Sequence, residues 1–148
     1  MDKIGLVTIT YNSANVLQPF LDCVWKQTHS NLVLYIIDNA SGDATLSILE
    51  DEQDGRLKII KNATNLGVAK ANNQGIEKAI SDGCDQVLII NNDVEFESTL
   101  IEKLINNKYH FEDEYIYEIN ARNLNSGIYI VQLISQEDMV SRKISVIK

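Results

Sequence analysis

A chain of 148 residues is long enough to bury a hydrophobic core, and it fits one domain or one domain with a small appendage. Hydrophobic residues make up 45% of it and charged residues 23%, which is ordinary for a soluble globular protein. The formal net charge of −8 argues against a nucleic-acid binder, because affinity for a phosphate backbone rests mainly on Lys and Arg.

The cysteines and the apolar runs indicate the cellular compartment in which the protein is expected. Cys23 and Cys84 are far apart and match no metal-ligand spacing, so we expect both to be reduced and packed. The longest apolar run, residues 32–37, has the length of a strand and not of a transmembrane segment. The first predicted strand begins almost at Met1, which leaves no room for a cleavable signal peptide. The sequence therefore predicts a cytoplasmic protein without a transmembrane segment.

The first strand and helix are predicted near the N-terminus. Residues 4–10 form an apolar, β-branched run that is typical of a buried strand. Asn15 looks like the N-cap of the following helix, with Gln18 completing a capping box and Pro19 still in the first turn. The helix would bury one apolar face, made of Leu17, Phe20, Leu21, Val24 and Trp25.

The next two strands flank a short helix. Residues 32–37 and 57–60 predict the strands. Asp43 can cap the helix between them, which carries Leu46, Ile48 and Leu49.

A third helix opens at residues 65–67 and runs to about residue 81. Its predicted apolar stripe consists of Ala69, Asn72, Ile76, Ala79 and Ile80. Gly75 lies inside this helix and costs about 1 kcal/mol relative to Ala, so we expect close backbone packing at that point.

The fourth strand, residues 86–90, runs directly into polar residues at 91–93. Ser98 can cap a further helix, which carries Leu100, Ile101, Leu104 and Ile105. Strand and helix thus alternate four times, which predicts an α/β fold with a mostly parallel sheet and helical crossovers.

The pattern changes after about Asn107, where we place a domain boundary between residues 1–107 and 108–148. Residues 115–119, 128–134 and 140–147 predict strands, with a turn at 125–127. The second region is therefore predicted to be a small antiparallel β appendage.

Polar clusters follow three of the predicted parallel strands: Thr10-Tyr11-Asn12, Asp38-Asn39 and Asn91-Asn92-Asp93. One such strand end is an ordinary polar turn, since Asn and Asp are common turn formers. Three ends on one edge of a sheet favour a nucleotide crevice, because ligands of open α/β sheets bind outside the carboxyl ends of the strands.

Each candidate side chain in these clusters has a chemical role and an ordinary alternative. Tyr11 could lie against a base, or be a surface tyrosine on a loop. Asp38 could accept a hydrogen bond from a base N–H, or be a turn residue. Asp93 is the candidate metal ligand, with Glu95 a neighbouring surface carboxylate. Mg²⁺ or Mn²⁺ usually takes one or two carboxylates and completes its shell with phosphate oxygens and water.

Several other kinds of site lack their motif. The sequence has no GxGxxG and no GxxxxGK[ST], so neither a dinucleotide nor a P-loop site is indicated. His29 and His110 have no partner pattern, and no Ser/His/Asp or Cys/His arrangement is indicated.

Residues 4 to about 105 resemble the nucleotide-binding half of family 2 glycosyltransferases, which have the GT-A fold. The resemblance rests on six blocks in the family's order: Thr10-Tyr11-Asn12, Gln27-Thr28, Asp38-Asn39-Ala40-Ser41-Gly42-Asp43, Asn65-Leu66-Gly67-Val68-Ala69, Asn72-Asn73-Gln74-Gly75-Ile76 and Asn91-Asn92-Asp93-Val94. The last two blocks look most like the rhamnosyltransferase-like branch.

The resemblance implies a Rossmann-like GT-A fold and a donor site for a nucleoside-diphosphate sugar, such as a UDP- or dTDP-sugar. It implies that Tyr11 and Asp38 hold the base and that Asp93 ligates Mg²⁺ or Mn²⁺ on the diphosphate. The other positions that it implies for nucleotide binding are Thr10, Asn12, Asn39, Gly67, Asn72, Asn91 and Asn92. Asn72 replaces the family's common arginine, and Asn91 replaces the first Asp of its DxD motif, so charge near the diphosphate and ribose is lost.

The reaction implied by the resemblance is transfer of the sugar, with inversion, to a hydroxyl of a glycan or a lipid-linked acceptor. It implies a role in bacterial cell-surface polysaccharide and a cytoplasmic location, with the periphery of the inner membrane as one option. The family's acceptor surface and catalytic base come in a second half that has no counterpart after residue 107, so the chain looks truncated and we assign no base. A non-catalytic donor-binding remnant is the alternative. Apolar surface normally covered by the second half would favour a homodimer.

The tail has a separate, shorter resemblance. Residues 124–131 and 142–148 look like the end of a type IX secretion sorting domain. The alternatives are a β-hairpin that covers a sheet edge or a helix face, and a fusion of two unrelated pieces.

Overall fold

The structure is a computed structural model that describes residues 1–106 and the backbone of three strands at 119–120, 127–135 and 139–146. The strands of the chain are β1 (Ile4–Thr10), β2 (Leu32–Asp38), β3 (Leu57–Lys61), β4 (Gln86–Ile89), β5 (Glu95–Phe96), β6 (Ile119–Asn120), β7 (Gly127–Ser135) and β8 (Met139–Val146). The helices are α1 (Ala14–Trp25), α2 (Thr45–Asp51), α3 (Val68–Ser81) and α4 (Leu100–Asn106).

The main sheet has the strand order β3-β2-β1-β4-β7-β8. The strands β3, β2, β1 and β4 are parallel to one another. The chain moves outwards from β1 through β2 to β3, and α3 then returns it to the other side of β1 to form β4. The direction of winding therefore reverses between β1 and β4, which is the switch point where open α/β sheets leave a crevice.

Helices cover both faces of this sheet, and each face has its own apolar core. On one face α1, α2 and α4 pack against alternate residues of the strands, such as Leu6 and Leu34. On the other face α3 packs against Val7, Tyr35 and Ile37. Because parallel strands with helical crossovers are buried on both sides, these strands read as nearly continuous apolar runs.

Close packing of α3 explains the glycine inside it. A Cβ at Gly75 would lie 2.4 Å from Val7 Cγ1 and 2.6 Å from Ile37 Cδ1, so the expected close approach is confirmed. The predicted apolar stripe is partly wrong, because Ala69 and Ile80 are exposed. The buried face is the series of small residues Ala71, Gly75 and Ala79, spaced four apart.

The start of α1 also differs from the prediction. The N-cap is Ser13 and not Asn15, no side chain of the cap bonds to the helix, and Pro19 lies inside the helix. The orphan N–H groups find partners on the loop after β2 and at the start of α2 instead: Ala14 N donates to Asp43 Oδ2 at 3.1 Å, and Ser13 N donates to Thr45 Oγ1 at 2.8 Å. The predicted apolar face is confirmed, with Leu17, Phe20, Leu21 and Val24 buried.

The tail forms an antiparallel hairpin, as predicted, because β7 pairs with β8. The hairpin joins the main sheet, since β7 also pairs antiparallel with β4, from Gln86 opposite Ser135 to Ile89 opposite Gln132. The strand predicted at 115–119 lies mostly outside the described residues, and its last residue begins β6. The domain boundary at 107 and the sorting role of the tail stay predictions. Within the described part of the chain, no helix is long and apolar enough to cross a membrane.

Candidate functional site

The three polar strand ends lie on adjacent strands and at the same edge of the sheet. Thr10, the last residue of β1, is opposite Asp38, the last residue of β2. On the other side of β1, Ile89 of β4 is opposite Val7, and Ile90 N donates to Val7 O at 3.0 Å. Residues 91–93 therefore leave the sheet at the carboxyl edge of β1. Since β1 lies between β2 and β4, the three clusters flank the switch point.

Asp38 is a buried carboxylate that the protein orients from several sides. Only 1% of the residue is exposed. Oδ1 accepts hydrogen bonds from the hydroxyls of Thr10, at 2.9 Å, and Ser41, and Oδ2 accepts one from Ser41 N at 3.0 Å. A carboxylate has about four acceptor positions, so one position remains, on Oδ2. Asp38 can thus accept one N–H from a ligand without losing its own partners.

Ser41 links the loop that carries Tyr11 to Asp38. Asn12 N donates to Ser41 Oγ at 3.0 Å, and Gly42 N donates to Asn12 Oδ1 at 2.8 Å. The loop after β1 and the loop after β2 therefore hold each other. The backbone is strained on both sides of this contact, since Asn12 has φ 54° and Ala40 has φ 66°.

Ser41 is part of a sequence block but was not singled out as a site residue. The signal in the sequence is Asp38 itself, because Asp side chains commonly accept hydrogen bonds from nearby backbone N–H groups in turns.

Asn39 is buried, and its amide is fully used within the protein. Nδ2 donates to Asn65 Oδ1 at 3.0 Å and to Gly67 O at 3.5 Å. Oδ1 accepts from Asn62 Nδ2 at 3.1 Å and from Leu66 N at 3.2 Å. These bonds fix the loop that precedes α3. The predicted direct contact of Asn39 with a nucleotide stays a prediction.

Gly67 and Asn72 lie where α3 begins. Gly67 is the N-cap of α3 and has φ 80°, a conformation that favours glycine. Asn72 lies in the second turn and is half-buried. Because α3 follows β3, its N-terminus is at the same edge of the sheet as Asp38.

Asp93 has a buried carboxylate oxygen that no described residue engages. Oδ1 of Asp93 and Nδ2 of Asn92 are both buried and without a hydrogen-bond partner in the described part of the chain. Burial raises the pKa of the Asp93 carboxyl above its usual range. Thr8 Oγ1 and Gln86 Oε1 are also unpartnered, so it is the position of Asp93 beside the switch point that suggests a ligand.

The residues fit a cation only as part of a ternary arrangement. Among the described residues there is no group of three or more His, Cys, Asp and Glu side chains that could hold a metal ion. Asp93 can supply one oxygen, and Mg²⁺ or Mn²⁺ then needs phosphate oxygens and water for the rest of its shell. A cation would also relieve the cost of the buried, unpaired Asp93 oxygen.

The remaining predicted residues differ in exposure. Tyr11 follows Thr10 directly and is 53% exposed, so its ring is accessible to a ligand. Asn91 is exposed, and Asn92 is 9% exposed.

The Gln27 block is structural: Gln27 Nε2 donates to Glu97 O at 2.8 Å, and its Oε1 accepts from Ile101 N at 3.2 Å, which ties α1 to α4.

A sequence model described as Glycosyl transferase family 2 matches residues 6–142. The chain belongs to glycosyl transferase family 2. The predicted family is therefore confirmed, and the match extends through the predicted boundary at 107 into the tail.

Two curated relatives illustrate the extent of the likeness to family 2 proteins. An uncharacterized glycosyltransferase of Haemophilus influenzae is 31% identical over 109 residues, which are 72% of this chain and 42% of that protein. The putative teichuronic acid biosynthesis glycosyltransferase TuaG of Bacillus subtilis is 28% identical over 78 residues, which are 51% of this chain and 31% of TuaG. The chain thus spans less than half the length of these relatives.

Solved structures share the fold. S. aureus TarS, determined in complex with UDP-GlcNAc, aligns with a TM-score of 0.64 and 24% identity over 70% of this chain and 30% of the TarS chain. The mannosyltransferase PcManGT from Pyrobaculum calidifontis, in complex with GDP-Man and Mn²⁺, aligns with a TM-score of 0.58 and 25% identity over 64% of this chain and 28% of its own. The predicted α/β GT-A fold is confirmed for this family 2 chain.

Proposed function

We propose that this chain binds a nucleoside-diphosphate sugar at the carboxyl edge of the sheet and serves as the donor-binding part of an inverting glycosyltransferase. The observation that carries the proposal is the placement of Asp38 at the end of β2 and of Asp93 in the turn after β4, because β2 and β4 lie on opposite sides of β1. One carboxylate keeps a single free acceptor position, and the other has a buried oxygen without a partner among the described residues. The first can accept a hydrogen bond from the base of a nucleotide, and the second can bind a cation that holds its diphosphate.

The base would be recognised by Asp38 and Tyr11. Uracil and thymine both carry one ring N–H donor, and Asp38 Oδ2 has one position left to accept it. A hydrogen bond to a carboxylate is worth about 1.5–3 kcal/mol, more than a neutral one. The exposed ring of Tyr11 would lie against the face of the base, so UDP or dTDP is the expected carrier.

The diphosphate would be held by a cation on Asp93. In a chain of net charge −8, such a cation would offset the repulsion between the chain and the phosphate groups, and Asn72 and Asn91 would supply amide dipoles in place of charges. When bound, Mg²⁺ or Mn²⁺ would neutralise the diphosphate as it leaves. The complexes of TarS with UDP-GlcNAc and of PcManGT with GDP-Man and Mn²⁺ support this assignment.

The reaction would form a bond between the acceptor oxygen and the anomeric carbon on the face opposite the diphosphate. The bond from that carbon to the diphosphate oxygen breaks, the nucleoside diphosphate leaves with the electron pair, and a base takes the acceptor proton. No described residue is assigned as this base. A glycan acceptor of a cell-surface polysaccharide is supported by the likeness to TuaG, a putative teichuronic acid biosynthesis glycosyltransferase.

A non-catalytic donor-binding protein is the second candidate, because no described residue is assigned as the catalytic base. Turnover separates the two. The enzyme hypothesis expects Mn²⁺-dependent release of UDP or dTDP from a sugar donor, abolished by Asp93→Ala. Nucleotide binding without release in the presence of candidate acceptors would favour the second candidate, and the absence of both binding and release would contradict the proposal itself.

A further inference from the structure

A chain of four side-chain amides lies beside the proposed nucleotide site and connects three parts of the fold: the loop after β2, the loop between β3 and α3, and α3 itself. Gln74 on α3 and Asn62 after β3 form a reciprocal pair, with Nε2 to Oδ1 at 3.0 Å and Nδ2 to Oε1 at 2.9 Å. Asn62 Nδ2 also donates to Asn39 Oδ1 at 3.1 Å, and Asn39 Nδ2 donates to Asn65 Oδ1 at 3.0 Å. We call Gln74, Asn62, Asn39 and Asn65 the amide chain.

The orientation of each amide depends on its neighbours. Asn62 donates to Gln74 and to Asn39 through one nitrogen, and its oxygen accepts from Gln74. Turning the Asn62 amide over would therefore break its bonds to both partners. The Asn62 backbone is fixed as well, since its N–H donates to Asp38 O at 2.9 Å. The amide chain thus has one arrangement, set next to the strand end that carries Asp38.

The far end of the amide chain fixes the backbone of the loop before α3. Asn39 Oδ1 accepts from Leu66 N at 3.2 Å, and Asn65 Oδ1 accepts from Gly67 N at 2.9 Å. Gly67 is the N-cap, so these bonds set where the first turn of α3 lies relative to Asp38. A shift of this loop would move the free N–H groups at the helix start, which are the groups that meet phosphates in nucleotide sites.

We propose that Asn62 and Gln74 are positioning residues for nucleotide binding. The inference rests on the proposed function. Neither residue is assigned a contact with the nucleotide. They act through Asn39 on the loop and hold it in the arrangement that the nucleotide needs. A purely stabilising role would lower the melting temperature of the protein without a specific effect on nucleotide affinity.

The variant Gln74→Glu tests the proposal with almost no change in shape. The introduced carboxylate presents an acceptor to Asn62 Oδ1, where the wild type presents a donor. When protonated, the same carboxyl has one donor and one acceptor oxygen, which are the two roles that Gln74 fills toward Asn62. Partial burial and the facing Asn62 oxygen favour the protonated form of the introduced carboxyl, so the effect of the substitution should decrease as the pH falls.

The measurement is calorimetric titration of UDP at several pH values between about 5.5 and 8. At each pH the affinity of the variant is divided by that of the wild type. At the highest pH we expect the variant to bind UDP roughly two- to tenfold more weakly than the wild type, because one neutral hydrogen bond is lost. At the lowest pH its affinity should recover towards the wild-type value. Gln53→Glu is the matched control, because Gln53 is exposed in the loop between α2 and β3 and bonds only locally, from Nε2 to Asp51 O at 3.1 Å. A ratio near one at every pH, or the same profile in the control, would overturn the proposal.

A second readout needs no nucleotide. Amide hydrogen exchange at Leu66 and Gly67 should become faster in Gln74→Glu and in Asn62→Ala, while exchange in β1 is unchanged and the variants remain folded. Unchanged exchange at the loop would overturn the inference even if the wild type binds UDP. Faster exchange in a protein whose wild type binds no UDP would contradict the proposed function and leave the loop-holding role in place.

Discussion

Replacing Asp38 with asparagine should weaken nucleotide binding without unfolding the site. The retained oxygen must face Ser41 N–H, because the new NH₂ group cannot meet that donor. The NH₂ group then takes the place of Oδ1, where the hydroxyls of Thr10 and Ser41 can rotate and accept instead of donating. The variant thus keeps its local partners and retains an oxygen towards the ligand, but the oxygen is neutral.

The expected loss follows from that single change. A hydrogen bond to a charged acceptor is worth about 1.5–3 kcal/mol and a neutral one about 0.5–1.5, so UDP affinity should fall by about 1 kcal/mol, or roughly fivefold. Calorimetric titration of UDP measures this fall. Asp51→Asn, an exposed position on α2, removes the same charge elsewhere and should bind UDP as the wild type does. Equal affinity in Asp38→Asn and wild type would refute the assignment of Asp38 to the base.

Three other substitutions test the packing and the electrostatics. Gly75→Ala should destabilise the protein by about 1–3 kcal/mol in urea denaturation, since its Cβ would meet Val7 and Ile37, while Gly55→Ala, with open space around it, should be neutral or slightly stabilising. Asp93→Asn should increase the stability of the ligand-free protein at pH 7 but not at pH 4. Because the pKa of Asp93 is raised in the folded protein, ionisation of Asp93 lowers the stability once the pH exceeds the pKa of Asp93 in the unfolded state. A loss of stability at pH 7 would contradict this. Asp82→Asn should lower the stability at pH 7 and have less effect at pH 3, because Lys58 and Lys78 lower the pKa of Asp82. The stability that ionised Asp82 contributes is present near neutral pH and is lost as the pH falls below about 4. Equal effects of the substitution at pH 7 and pH 3 would count against the ion pairs.

Most of the strands could be predicted because a short run rich in apolar and β-branched residues between turn residues is a local feature of the sequence. β1 matches its prediction from end to end, and β7 and β8 differ from theirs by about one residue at each end. Hydrogen-bond partners that are distant in the sequence could not be predicted in this way. The N-cap prediction for α1 failed because Asp43, in the loop after β2, and Thr45, at the start of α2, accept hydrogen bonds from the N–H groups where α1 begins. Pairing of β7 with β4 depends on residues more than forty positions apart, and no local pattern specifies it.

The candidate site shows the same division between local and distant information. The residue types at the strand ends indicated a crevice, and the parallel register brings Thr10 and Asp38 opposite each other, as expected for that edge. The stripe of α3 was misplaced because small residues, and not large apolar ones, form its buried face. Asn39 was predicted as a site residue, but the role of Ser41 and the bonds of the amide chain were not, because hydrophobic periodicity does not record hydrogen bonds between loops.

The most direct test of the account is calorimetric titration of the wild-type chain with UDP and with dTDP, with and without Mn²⁺. The account predicts that at least one nucleotide binds, that Mn²⁺ strengthens the binding, and that Asp93→Ala removes the strengthening while leaving weaker, metal-independent binding through Asp38. Absence of binding to both nucleotides at millimolar concentration, or a Mn²⁺ effect that survives Asp93→Ala, would contradict it.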